Sequence, residues 1–93
     1  MPIADTPSLF DKFLDLARRY IAEPDIVAGL ELDEIAGQLK QRAAGELADS
    51  ELTALLHRFR RAIPHQETET LAALLGAIDE RAAAHGLSTG RTD

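Results

Sequence analysis

Residues 6–22 read TPSLFDKFLDLARRYIA, and this stretch decides the fold class. Leu9, Phe10, Phe13, Leu14, Leu16, Ala17, Tyr20 and Ile21 recur at helical spacing and fill one arc about 160° wide. Ser8, Asp11, Lys12, Asp15, Arg18 and Arg19 take the opposite face, with Asp15 four positions before Arg19 as a small favourable surface pairing. Thr6 reads as an N-cap, and Pro7 suits a first helical position, where its missing N–H costs nothing. Pro24 disfavours helical geometry at Glu23, so the helix is predicted over 7–22. An apolar arc this wide must meet more than one neighbour.

Downstream, the same reading gives three further helices. Leu32, Ile35, Ala36, Leu39 and Ala43 line a narrow stripe over 31–44, with Asp33 and Glu34 near the positive N-terminal end and Gly45 placed to stop it. Asp49 is a good N-cap for a helix over 50–62, whose stripe is Leu52, Leu55, Leu56, Phe59, Ala62 and Ile63, with Pro64 after it. The last helix is predicted over 66–85. Glu67 and Glu69 complement its start, Arg81 and His85 complement its end, and Leu71, Leu74, Leu75, Ile78 and Ala82 share one face. Gly86 followed by Leu87 reads as a left-handed cap with its hydrophobic contact.

Ile26, Val27 and Leu30 do not fit. They would share a helical face, but that face does not continue into the Leu32–Ala43 stripe, and Gly29 weakens the segment. The expectation is a short helical turn near 25–30 ahead of the second helix, with one continuous helix from Pro24 to Ala44 as the alternative. No run alternates as a strand does. The short connections favour antiparallel neighbours. The predicted fold is therefore all-α, a small antiparallel four-helix bundle, with a flexible start over 1–6, a single domain over 7–87 and a disordered tail over 88–93.

Composition agrees. The chain has 93 residues, enough for one domain, and 45% of them are hydrophobic, a globular share. The aromatics are few: Phe10, Phe13, Phe59 and Tyr20. No cysteine is present, which excludes disulfides, thiolate metal sites and thiol nucleophiles. The formal net charge of -6 opposes phosphate backbones and anionic lipid unless a local patch overrides it. No apolar run approaches a bilayer span, and no basic-then-apolar leader is visible at Met1–Thr6. A cytoplasmic protein is expected. Abundant alanine, and arginine in large excess over lysine, suggest GC-rich bacterial coding.

Four constellations bear on chemistry. Gly45, Leu47 and Glu51 occupy the sixth, eighth and twelfth places of a twelve-residue loop between helices, so this one turn resembles an EF-hand. Places one, three and five are Lys40, Arg42 and Ala44, which carry no carboxylates, so no calcium site is expected. His57, Arg58, Arg60 and Arg61 form the only concentrated positive charge. They could meet phosphates or an acidic partner, yet cations also belong at a helix C-terminus, and the N-terminal part of this helix, where a DNA reader contacts bases, is acidic. His57, His65 and His85 include no i, i+4 pair, so neither a metal nor a cofactor is expected. The serines and threonines have no activating base, and the carboxylates fall on solvated faces, so no catalytic residue is nominated.

What remains is surplus apolar surface, which on a small domain marks an interface. The expectation is a non-enzymatic protein–protein interaction module (an adaptor, inhibitor or small regulatory subunit) docking through Leu9, Phe13, Leu16, Tyr20, Ile26, Val27 and Leu30. Its partner would be another protein or a second copy of itself. The alternative is a small DNA-associated transcriptional regulator using His57, Arg58, Arg60 and Arg61, a reading the net charge disfavours.

Overall fold

The computed structural model describes residues 5–87, so the flexible start expected over 1–4 and the tail expected over 88–93 lie outside the described residues. Four helices form: α1 (Thr6–Ala22), α2 (Ile26–Ala44), α3 (Ser50–Ala62) and α4 (Thr68–Ala83), with a single 3-10 turn at Ile63–His65. No strand occurs among the described residues.

Local chemistry accounts for most boundaries. Asp5, not Thr6, caps α1. Its carboxylate accepts the Ser8 N–H at 3.1 Å, and the Ser8 side chain first, then that N–H, hold the carboxyl below its usual range. Thr6 is the first helical residue and is buried. Its hydroxyl donates to Glu46 Oε1 at 2.8 Å and accepts from Arg42 Nη1 at 3.0 Å, so the start of α1 is latched to the end of α2. Residues 5 and 6, expected to be flexible, are thus part of the fold. α3 starts where Asp49 accepts the Leu52 N–H at 3.0 Å. α4 starts two residues later than expected, because Gln66 adopts a left-handed backbone at φ 53 after the turn at Pro64. It ends at Ala83, two residues earlier than expected, and the chain then turns back at Gly86, φ 73, where the Leu87 N–H reaches Ala82 O and the Gly86 N–H reaches Ala83 O, both at 3.0 Å. That is a Schellman cap, and Leu87 folds back into the core as the motif requires.

The second helix differs most from expectation. No separate turn exists at 25–30. Asp25 accepts the Ala28 N–H at 3.1 Å, and α2 runs unbroken to Ala44. Its buried positions are Gly29, Leu32, Ile35, Ala36, Leu39 and Ala43. Gly29 therefore extends the buried stripe backwards by three residues, with a hydrogen atom where the pattern seeks an apolar side chain. The reason is close approach: a Cβ at Gly29 would sit 3.1 Å from Tyr20 Cε1. At the other end Gly45 is right-handed, φ -93, and the left-handed residue of the α2–α3 turn is Ala48, φ 50.

Cross-links fix the directions. Thr6 meets Arg42, Asp33 meets Arg60, and Asp49 meets Arg81. In each case an early residue of one helix pairs with a late residue of the next, so neighbours run antiparallel. α1 packs on α2 and α4, α2 on α3, and α3 on α4. The core threads through all four helices and includes Phe10, Phe13, Leu14, Leu32, Phe59 and Ile78. Phe13 sits at its centre, fully buried, 6.2 Å from the Phe10 ring and edge-on to Phe59 at 5.2 Å.

Candidate functional site

The seven residues expected to dock a partner separate into two sets. Leu9, Phe13 and Tyr20 are inside, at 4%, 0% and 3% exposure, and Leu16 is half-buried against the same core. The wide arc of α1 is accounted for within the monomer, because α2 and α4 flank the helix and Phe59 of α3 meets it from across the bundle. Ile26, Val27 and Leu30 are the opposite case. At 76%, 71% and 69% exposure they are the exposed large hydrophobics among the described residues.

Ile26 and Leu30 form one wall of an open groove of about 320 Å³, with Ile63 and Pro64 opposite and Tyr20 at its base. The Tyr20 hydroxyl donates to the Ile63 carbonyl at 2.9 Å, tying the end of α1 to the turn after α3 beneath the start of α2. Burial, reinforced by Asp25, raises the Tyr20 phenol above its ordinary value. Glu31 and Glu34 continue the exposed face of α2, and neither is in an ion pair among the described residues. The patch is therefore apolar with an acidic margin.

The basic run does not stay together. Arg60 turns onto α2 and grips Asp33 with both arms, Nε to Oδ1 at 3.0 Å and Nη2 to Oδ2 at 3.2 Å. Gly37 permits this crossing, since a Cβ there would lie 3.1 Å from Arg60 Nη1. The pairing raises the guanidinium further above its ordinary range. His57 also turns towards α2, where Lys40 Nζ stands 3.1 Å from its Nδ1. Arg58 lies about 100° round the helix from His57. Of the four, Arg58 and Arg61 are exposed and outside any ion pair among the described residues. Lys40 was not singled out in the sequence, although it follows Asp33 by seven residues and so shares its face of α2.

Asp49 is the most enclosed charged group, with its side chain 3% exposed. One carboxylate oxygen caps α3, and the other accepts from Arg81 Nε and His85 Nε2, both at 2.8 Å. Arg81 first, then His85 and the Leu52 N–H, hold the carboxyl far below the usual carboxylate range. Arg81 and His85 thus act on a neighbouring helix rather than only on the end of their own.

Among the described residues no group of three or more His, Asp or Glu side chains could hold a metal ion. No described helix is long and apolar enough to cross a membrane. No family model, curated protein or solved structure matches the chain.

Proposed function

We propose that the protein is a non-enzymatic helical interaction module that docks another protein through Ile26, Val27 and Leu30 on the first turns of α2. The observation carrying this reading is the exposure of these three side chains, where the other large hydrophobics among the described residues are buried or half-buried. Each leaves apolar area in water that a partner would cover, and the adjoining groove offers concave surface with Tyr20 at its base. The acidic margin of Glu31 and Glu34, together with the net charge of -6, disfavours a second copy and favours a partner with basic residues around an apolar anchor. As part of the same proposal the protein works in a bacterial cytoplasm.

The test uses wild type and an Ile26→Ser, Leu30→Ser variant as paired baits, followed by binary titration of any purified candidate. A partner whose affinity collapses in the variant supports the module. Equal binding by both baits, or none by either, removes the proposed surface. Sedimentation of the same two proteins separates self-association from binding to another protein. The DNA-regulator reading has lost Arg60 to Asp33 and retains only His57, Arg58 and Arg61.

A further inference from the structure

We propose that the groove between α2 and α3 lined by Lys40, His57 and Arg61 is a binding subsite for a small oxyanion, of the phosphate or carboxylate class. The groove measures about 310 Å³, and Asp33 and Arg60 complete its walls. Asp33 is its only carboxylate, and both oxygens are already held by Arg60. Its charge is therefore offset by the Arg60 guanidinium before the three remaining groups are reached.

Those three have no acid of their own. Among the described residues the sole partner of Lys40 is His57 Nδ1, at 3.1 Å. An ammonium can only donate, so the ring must accept at Nδ1 and carries its N–H at Nε2. Arg61, one turn beyond His57 on α3, is exposed and outside any ion pair among the described residues. The ammonium, the imidazole N–H and the guanidinium thus come from two helices onto one concavity without a counter-ion. This occurs in a chain with 16 acidic and 10 basic residues, where a carboxylate partner is the commoner neighbour for any cation. An oxyanion seated there would accept from all three groups and relieve the crowding of Lys40 against His57. The two-point Asp33–Arg60 pairing occupies both oxygens of the neighbouring acid.

This subsite does not depend on the docking reading, because Lys40, His57 and Arg61 all lie outside the apolar patch. The experiment is NMR titration of the full chain with inorganic phosphate, with sodium acetate as the carboxylate arm and sodium chloride at matched ionic strength as the control. Saturable shifts at the His57 ring and the Lys40 and Arg61 side chains with phosphate or acetate, absent with chloride, are expected. Lys40→Ala should weaken binding by about tenfold, the scale of one lost charge-assisted hydrogen bond, and Arg61→Ala by several-fold. Both variants should keep the far-UV spectrum of wild type, and Ile26→Ser with Leu30→Ser should bind the anion as wild type does. Shifts equal to those with chloride, or spread evenly over Lys12 and Arg18 as well, overturn the subsite. So does retention of full affinity by Arg61→Ala, whose exposed position removes folding as an excuse. Binding to a duplex DNA that is far tighter, steeply salt-dependent and sensitive to Arg58→Ala also overturns it, in favour of a nucleic-acid face.

Discussion

Phe13 and Leu30 are both large apolar side chains on amphipathic helices, and they end in opposite surroundings. Phe13 is fully buried within the core and touches two other aromatic rings, Phe10 and Phe59 of α3, while Leu30 stands 69% exposed directly after Gly29. The face of α1 is apolar because the bundle closes over it. The first turns of α2 are apolar although nothing in the bundle closes over them. An apolar face states that something must cover it; only the packing of the remaining helices states whether that cover is internal.

This contrast can be broken at several points. Phe13→Ala should lower unfolding stability by about 3–5 kcal/mol, since it opens a cavity at a fully buried aromatic that packs on two other rings. A denaturant titration checks it, and a loss under 1 kcal/mol would place Phe13 outside the core. The same inside–outside division applies to carboxylates. Asp49→Asn should destabilise the protein at neutral pH and flatten its acid limb. The fold depresses the Asp49 carboxyl, so as pH falls the unfolded chain takes up that proton first. The contribution is whole above the ordinary aspartate value of 3.8 and is lost progressively below it. Asp15→Asn, by contrast, breaks an i,i+4 pair with both members 68% exposed, and should change stability by only about 0.3–0.5 kcal/mol.

Smaller changes sharpen the boundary itself. Tyr20→Phe removes one of two donors to the Ile63 carbonyl, which still accepts from the Gln66 N–H at 3.0 Å, and should cost about 0.5–1.5 kcal/mol, read from the denaturation midpoint. Two interior helical glycines should respond differently to alanine. Gly76 has open space around it, so Gly76→Ala should stabilise by about 0.8–1 kcal/mol through helix propensity. Gly29→Ala makes the same propensity gain but presses a methyl to 3.1 Å from the hydrogen-bonded Tyr20 ring, and should be neutral or destabilising. The smallest effect belongs to Ile26→Ser with Leu30→Ser, within about 0.5 kcal/mol of wild type in the monomer. A large loss there would show that these residues support the fold.

Much of the architecture was legible in sequence because α1, α3 and α4 have stripes, caps and stops that agree. Leu71, Leu74, Leu75, Ile78 and Ala82 are all buried, as their spacing requires. α2 was divided wrongly because apolar periodicity counts side chains, and at Gly29 the buried position has none. Gly45 stops α2 after Ala44 as read, but in a right-handed conformation, and the left-handed residue of the turn falls three residues later, on Ala48. The candidate site was only half legible. Ile26, Val27 and Leu30 were marked by their misfit with the stripe. Nothing in the spacing of α1 could show that Leu9, Phe13 and Tyr20 would all be covered from within. The crossing of Arg60 over Gly37 to Asp33 joins positions 27 apart and has no local signature.

The seat of Tyr20 has a spectroscopic consequence. The chain has one tyrosine and no tryptophan, so its intrinsic fluorescence comes from a single phenol. That phenol forms the base of the Ile26–Leu30 groove, and its hydroxyl is bonded to a carbonyl of the turn that forms the opposite wall. Its emission and near-ultraviolet dichroism should therefore respond to occupation of the groove and to loss of the fold with separate signatures. A label-free readout of both events is already part of the molecule.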